Sequence, residues 1–90
     1  MTATKFPSGR IVLSRNALVK LDDNDVEVGM ARHLSGDWGN VDKLFGRIND
    51  LCLTCHLPLS SSYESSHGVK FWIVTEADRS ETSVLLPEDF

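Results

Sequence analysis

Ser60-Ser61-Ser62-Tyr63-Glu64-Ser65-Ser66-His67-Gly68-Val69-Lys70-Phe71-Trp72-Ile73-Val74-Thr75-Glu76 is the stretch whose reading decides the fold. Val69, Phe71 and Ile73 fall on one face of an extended chain, and Lys70, Trp72, Val74 and Glu76 fall on the other, which is the period-two alternation of a strand. Ser66-His67-Gly68 ahead of it forms a small loop, and its glycine can take the positive φ that closing two antiparallel strands requires. The stretch therefore reads as an antiparallel β-hairpin.

Working outward from the hairpin, Ala77-Asp78-Arg79-Ser80-Glu81 is polar and turn-like, and it leads to a last strand, Thr82-Ser83-Val84-Leu85-Leu86, which Pro87 closes. On the other side Pro58 ends helical structure, so the first hairpin strand begins at Leu57 or Leu59. Before Pro58 the apolar spacing becomes helical. Asn40 is placed to cap a third helix, with Asp42 near the positive end of its dipole, and Val41, Leu44, Phe45, Ile48, Leu51, Cys52 and Cys55 follow a broad 3.6-residue stripe. This stripe predicts the main core helix. Ser35-Gly36-Asp37-Trp38-Gly39-Asn40 is a turn that carries Trp38 into the core.

Asp25 is placed to cap a second helix whose Val28, Met30, Ala31 and Leu34 face the core, and Ser14 to cap a short first helix with Leu18 and Leu21 on one side. Arg10-Ile11-Val12-Leu13 is β-branched and apolar, a candidate N-terminal edge strand behind a loose arm of residues 1–9. The expected class is α+β, with N-terminal helices packed on one face of a C-terminal three-stranded antiparallel meander. Phe71, Ile73, Val84 and Leu86 would face the helices. Trp72 would lie on the more open face, with Tyr63 as its cross-strand neighbour on an exposed aromatic surface.

Ninety residues with 41% apolar and 24% charged content are expected to make a single soluble domain, and no run approaches the ~18 apolar residues of a membrane span. The N-terminal residues carry no secretory or lipidation motif, so a cytoplasmic location is expected. The net charge of −4, from thirteen acidic against nine basic residues, has the wrong sign for a protein that neutralises phosphates over a broad face. Nucleic acid is therefore not expected as a direct ligand. The acidic run Asp22, Asp23, Asp25 and Glu27 suits a basic groove on another protein, and its plainer reading is a solvated loop and helix start.

Three constellations suggest chemistry, and each has a plainer reading. Cys52-Leu53-Thr54-Cys55-His56 has metal or redox spacing, but His33 and His67 do not supply a second ligand pair, and the cysteines fall near the end of a helix and not at its N-terminus. They are expected to be inert apolar core residues. His33, Asp37 and Trp38 can be drawn as a base, its orienter and a stacking platform, with Ser35 a nucleophile candidate near in sequence; the plainer reading makes His33 a helix-surface residue, Asp37 a cap or brace for the turn and Trp38 a core anchor. Glu76, Asp78, Arg79 and Glu81 offer carboxylates and a cation on one exposed turn, but a magnesium site there would need substrate phosphates. With no P-loop, dinucleotide fingerprint or nucleophile elbow, neither an enzyme nor a cofactor or metal is expected.

Ala31-Arg32-His33-Leu34-Ser35-Gly36-Asp37-Trp38-Gly39 and the stretch from Tyr63 to Phe90 carry a resemblance. Phe71-Trp72-Ile73-Val74-Thr75-Glu76-Ala77-Asp78-Arg79-Ser80 and the ending Leu85-Leu86-Pro87-Glu88-Asp89-Phe90 are its centre. In these blocks the chain resembles a family of small uncharacterised bacterial proteins borne on plasmids, integrative elements and prophages. The likeness is weakest from Leu44 to Ser60, where Leu-Cys-Leu-Thr-Cys-His departs from that family's charged pattern. The resemblance implies a genomic setting and no activity.

That setting, together with the acidic charge, leads to the expectation of a non-enzymatic protein-binding inhibitor of a host defence complex, of anti-CRISPR or anti-restriction type. Its partner would be a nucleic-acid-binding assembly, with contacts through Asp22, Asp23, Asp25, Glu27, Glu76, Asp78, Arg79 and Glu81 and with Tyr63 and Trp72 as anchors. An accessory module of plasmid maintenance or transfer is the alternative, and a small zinc or redox protein is the third. The sequence names neither the target nor the oligomeric state.

Overall fold

The computed structural model of the chain describes residues 4–90. Its hairpin forms where the alternation puts it: β2 (Leu59–Glu64) and β3 (Lys70–Thr75) pair antiparallel, with Tyr63 opposite Phe71 and Ser62 opposite Trp72. Gly68 sits in the connecting turn at φ 79°. On the far side of β3, β4 (Glu81–Leu85) adds antiparallel, and β1 (Arg10–Leu13) then adds parallel to β4, so the sheet order is β1-β4-β3-β2. The architecture is α+β, and the expected N-terminal edge strand is a fourth strand that makes the sheet mixed.

Three helices fill the interval between β1 and β2: α1 (Arg15–Lys20), α2 (Asp23–Leu34) and α3 (Lys43–Cys55). Ser14 caps α1, accepting from the Ala17 amide at 3.0 Å. Two expected caps move. Asp22 holds the N-cap position of α2, which leaves Asp25 in the first turn, where it accepts from the Ser66 amide and hydroxyl and ties the helix to the hairpin turn. Asp42, not Asn40, caps α3, accepting from the Phe45 amide at 2.8 Å.

α2 lies close on one face of the sheet. A Cβ added at Gly29 would come within 2.9 Å of the Phe71 ring, so the absence of a side chain there sets how near the helix can approach. Its buried row is Gly29, Met30 and His33; the expected core positions Val28 and Ala31 turn outward. Leu18 of α1 also faces solvent, and Ala17 and Leu21 are the residues that pack. With Met30, Tyr63, Phe71, Ile73, Val84 and Leu86, Ala17 and Leu21 form one buried cluster, and Phe6, Trp38, Cys52 and Leu59 form a second.

Phe6 corrects the reading of residues 1–9 as a loose arm. Its ring stacks on Trp38 at 6.3 Å, the Lys5 amide donates to the Leu34 carbonyl, and the Thr82 hydroxyl donates to the Ser8 carbonyl. Burial of the ring, together with these hydrogen bonds, offsets part of the chain entropy that ordering the segment costs. Residues 1–3 of that arm lie outside the described residues.

The outer edge of β2 is covered by hydrogen bonds from the turn and from α3. Ser62 donates its amide to the Trp38 carbonyl at 3.2 Å and accepts from the Asn40 amide at 2.7 Å, and the Asn49 side chain donates to the Ser60 carbonyl and accepts from its amide. An open strand edge is a pairing hazard, and these four bonds remove it. They also hold α3 beside the sheet edge and not over the helix-covered face. The expectation of a main core helix is therefore corrected: Asn49 and Cys52 are its buried residues, while Leu44, Ile48 and Leu51 face outward. No helix among the described residues is long and apolar enough to cross a membrane.

Candidate functional site

Helical geometry shows which way α3 turns its apolar stripe. On one flank, an added Cβ at Gly46 would lie 3.8 Å from the Trp38 ring, and the Asp50 carboxylate accepts from Trp38 Nε1 at 3.0 Å. At 100° per residue, Leu44, Ile48 and Leu51 lie on the opposite flank, next to Phe45, whose ring meets Trp72 edge-on at 6.4 Å. Trp72 belongs to the sheet face that α1 and α2 leave open. The stripe and the open face are thus one continuous surface.

That surface has a groove of about 320 Å³ lined by Phe45, Ser60, Trp72, Val74, Pro87 and Phe90. Around it Leu44 is 69% exposed, Ile48 49%, Leu51 66% and Phe90 75%, values at which large apolar side chains meet water directly. Taken with Phe45, these side chains expose on the order of 600 Å² of apolar surface, at the upper end of what a monomeric protein leaves uncovered. The 3₁₀ turn Pro87–Asp89 anchors the C-terminal wall, because the Asp89 carboxylate accepts from Ser14 Oγ, Asn16 Nδ2 and the Leu86 amide. Those bonds hold Asp89 below the usual carboxylate range, the Ser14 bond first.

The expected contact residues are dispersed by the fold. Trp72 is on the open face, as expected. Tyr63 is not its neighbour: the register sets Ser62 opposite Trp72, so Tyr63 shares the covered face with Phe71 and is buried, its hydroxyl donating to the Asp37 carbonyl at 2.6 Å. Burial pushes the Tyr63 phenol up to about 12. Asp22, Asp23 and Glu27 are exposed at the start of α2, beside the hairpin turn, where Asp22 meets His67 at 2.9 Å. Glu76 and Asp78 are exposed on the β3–β4 turn, and Glu81 is half-buried and paired with Arg10 at 2.7 Å. These acidic groups therefore sit at opposite ends of β3, on the order of 20 Å apart, and form two patches where one interface was expected.

Arg79 is the other correction, because it is an interior residue and not a surface cation. Its backbone adopts φ 63°, and its guanidinium donates to the carbonyls of Cys52 (2.8 Å), Leu57 (2.7 Å) and Glu76 (3.1 Å). Cys52 lies in the last turn of α3 and Leu57 just past its end, where the helix dipole is negative. No carboxylate is needed to hold this charge.

His33 is also interior, where sequence reasoning put it on a helix surface. It has no exposed area, and its Nδ1 lies 2.5 Å from Ser61 Oγ while its Nε2 lies 2.8 Å from Thr75 Oγ1. Thr75 Oγ1 is in turn 2.8 Å from Thr82 Oγ1, which donates to the Ser8 carbonyl. The carbonyl can only accept, so Thr82 donates outward, Thr75 to Thr82, and His33 Nε2–H to Thr75. Burial, with the Arg79 charge as the second cause, pushes the His33 pKa down to about 4, so the imidazole is neutral at pH 7 and Nδ1 accepts from Ser61. A serine beside a histidine has the outline of a nucleophile and base, but both are sealed from solvent, and among the described residues no buried side-chain donor or acceptor is left unpaired. The arrangement holds α2 to β2, β3 and β4.

A signal for this chain existed in the sequence. Thr75 continues the Phe71 and Ile73 face, and His33 lies one turn from Gly29. The turn residues behave as read: Trp38 is buried, and Asp37 braces its turn by accepting from Arg32 Nε at 2.7 Å and from the Gly39 amide. Of the two cysteines, Cys52 is buried and Cys55 is exposed, which corrects the reading of both as core residues. Among the described residues no three His, Cys, Asp or Glu side chains are grouped to hold a metal ion. Comparisons with family models, with curated proteins and with solved structures found no match to this chain.

Proposed function

We propose that the chain is a non-enzymatic protein-binding module. The observation that carries the reading is the apolar surface formed by the outer flank of α3 and the open sheet face, rimmed by polar groups as protein interfaces are. The acidic patches at the two ends of β3 suit a basic target by charge steering. The mobile-element setting suggested by the resemblance supplies the target class: a cytoplasmic, nucleic-acid-binding host defence complex of CRISPR or restriction type, which the module inhibits by occupying its surface.

The test is plating of a targeted phage or plasmid in a host with an active restriction or CRISPR system. Expression of the chain should raise plating, the charge reversals Asp22→Lys, Asp23→Lys and Glu27→Lys together should reduce that protection, and Trp72→Ala should weaken it. Absence of protection in every such host would remove the defence target. Binding to a replication or partition protein of a mobile element would replace it with a role in plasmid maintenance.

A further inference from the structure

We infer that the apolar flank of α3 is covered by the same flank of a second copy of this chain, with the two helices antiparallel. The inference rests on reading this face as a protein-docking surface, and it names the occupant. Leu44, Ile48, Leu51 and Cys55 recur at spacings of four, three and four, the seam spacing at which two helices interlock. Cys55 is exposed like the rest of the row.

The seam is self-complementary. A two-fold axis across α3 midway between Ile48 and Leu51 sets Ile48 against Leu51 of the second copy and Leu44 against its Cys55, so each layer joins a large residue to one that fits it and all four positions are used. Area agrees with this arrangement. The apolar side chains already described expose on the order of 600 Å², and the half-buried Trp72 and Val74 beside them bring the face toward the ~800 Å² per partner of a standard interface. The acidic patches of both copies remain outside the contact, free for a basic target.

Sedimentation equilibrium and light scattering of the full chain should give twice the 10.0 kDa mass of one copy, and Ile48→Asp with Leu51→Asp should return it to one. Both positions are exposed, so circular dichroism should show the double variant folded. Direction is tested by thiol chemistry. Treated with diamide, which takes two hydrogens from a pair of thiols, Leu44→Cys should give a disulfide-linked dimer that disappears when Cys55→Ser is added. The wild-type chain should give none, because the two Cys55 side chains lie about 16 Å apart along an antiparallel seam. Cross-linking of the wild type through Cys55 would overturn the antiparallel arrangement. A single-copy mass at all concentrations would overturn the second copy altogether. In that case loss of defence protection in the Ile48 and Leu51 variant would leave the docking surface standing with a foreign occupant, and unchanged protection would remove both readings.

Discussion

The covered face of the sheet and its open face distribute polarity in opposite ways. Beneath α2, His33, Ser61, Thr75 and Thr82 have no exposed area and, among the described residues, every buried side-chain donor or acceptor is paired, whereas along α3 Leu44, Ile48 and Leu51 meet water. Hydropathy alone predicts the reverse. A hydroxyl or imidazole is tolerated inside once its partners are aligned, and a leucine is left outside when the backbone bonds of a neighbouring strand dictate where its helix must lie. The position of Asn49, clamped to Ser60, outweighs the pull of the apolar stripe beside it.

The sharpest break of this comparison is a pair of truncations. Trp38→Ala should remove about 3–5 kcal/mol of stability in denaturant titration, because the ring anchors Phe6 and α3, while Leu44→Ala in dilute solution should change it by less than about 0.5 kcal/mol. Comparable losses at the two sites would mean that α3 packs inward after all.

Next in size is a pH effect confined to the covered face. The His33 pKa is depressed from 6.5 to about 4, so the unfolded chain binds the extra proton first. Stability from this group is complete above about pH 6.5 and falls as pH drops through the window to about 4, by a total of about 3 kcal/mol. Asp37 and Asp89 are shifted below their ordinary carboxylate values, so their losses begin at lower pH. Urea melts at pH 7 and pH 5 should show the loss in the wild type and a flatter profile in His33→Gln. Equal slopes would place the imidazole in contact with water.

A smaller effect tests the approach of α2 to the sheet. Gly29→Ala puts a methyl into the Phe71 ring at 2.9 Å and should cost about 1–3 kcal/mol by overpacking, read as a lower midpoint at unchanged slope. A gain in stability, as expected for an exposed helical glycine, would show a wider gap between the layers. The smallest expected effect is none: a chelator should leave the melting temperature where it was, since both buried clusters are built from side chains alone. Unfolding on chelation, with one zinc per chain, would bring the Cys52 and Cys55 pair back as ligands.

Much of the fold was legible in the residues. The alternation from Val69 to Glu76, the loop with Gly68, Pro58 and Pro87 place three of the four strands, and Ser14 and the Gly36 turn mark helix ends, because these signals act over a few residues and depend on no distant partner. The site was less legible. Trp72 could be assigned to the open face by parity, but Tyr63 was assigned with it, and only strand register reveals that the two rings lie on opposite sides.

Period and punctuation are local properties, so the sequence by itself determined an α+β chain with a β-hairpin, a terminal strand and three helices. Direction is not local. That α3 lies along the edge of β2 and turns Leu44, Ile48 and Leu51 to solvent, that Arg79 turns inward onto the end of α3, and that His33 closes a hydrogen-bonded chain from Ser61 to Ser8 were decided by tertiary structure alone. Each depends on a partner 22 or more residues away or on the satisfaction of a strand edge, and a stripe of leucines reads the same whether the wall it meets is a core or a second protein.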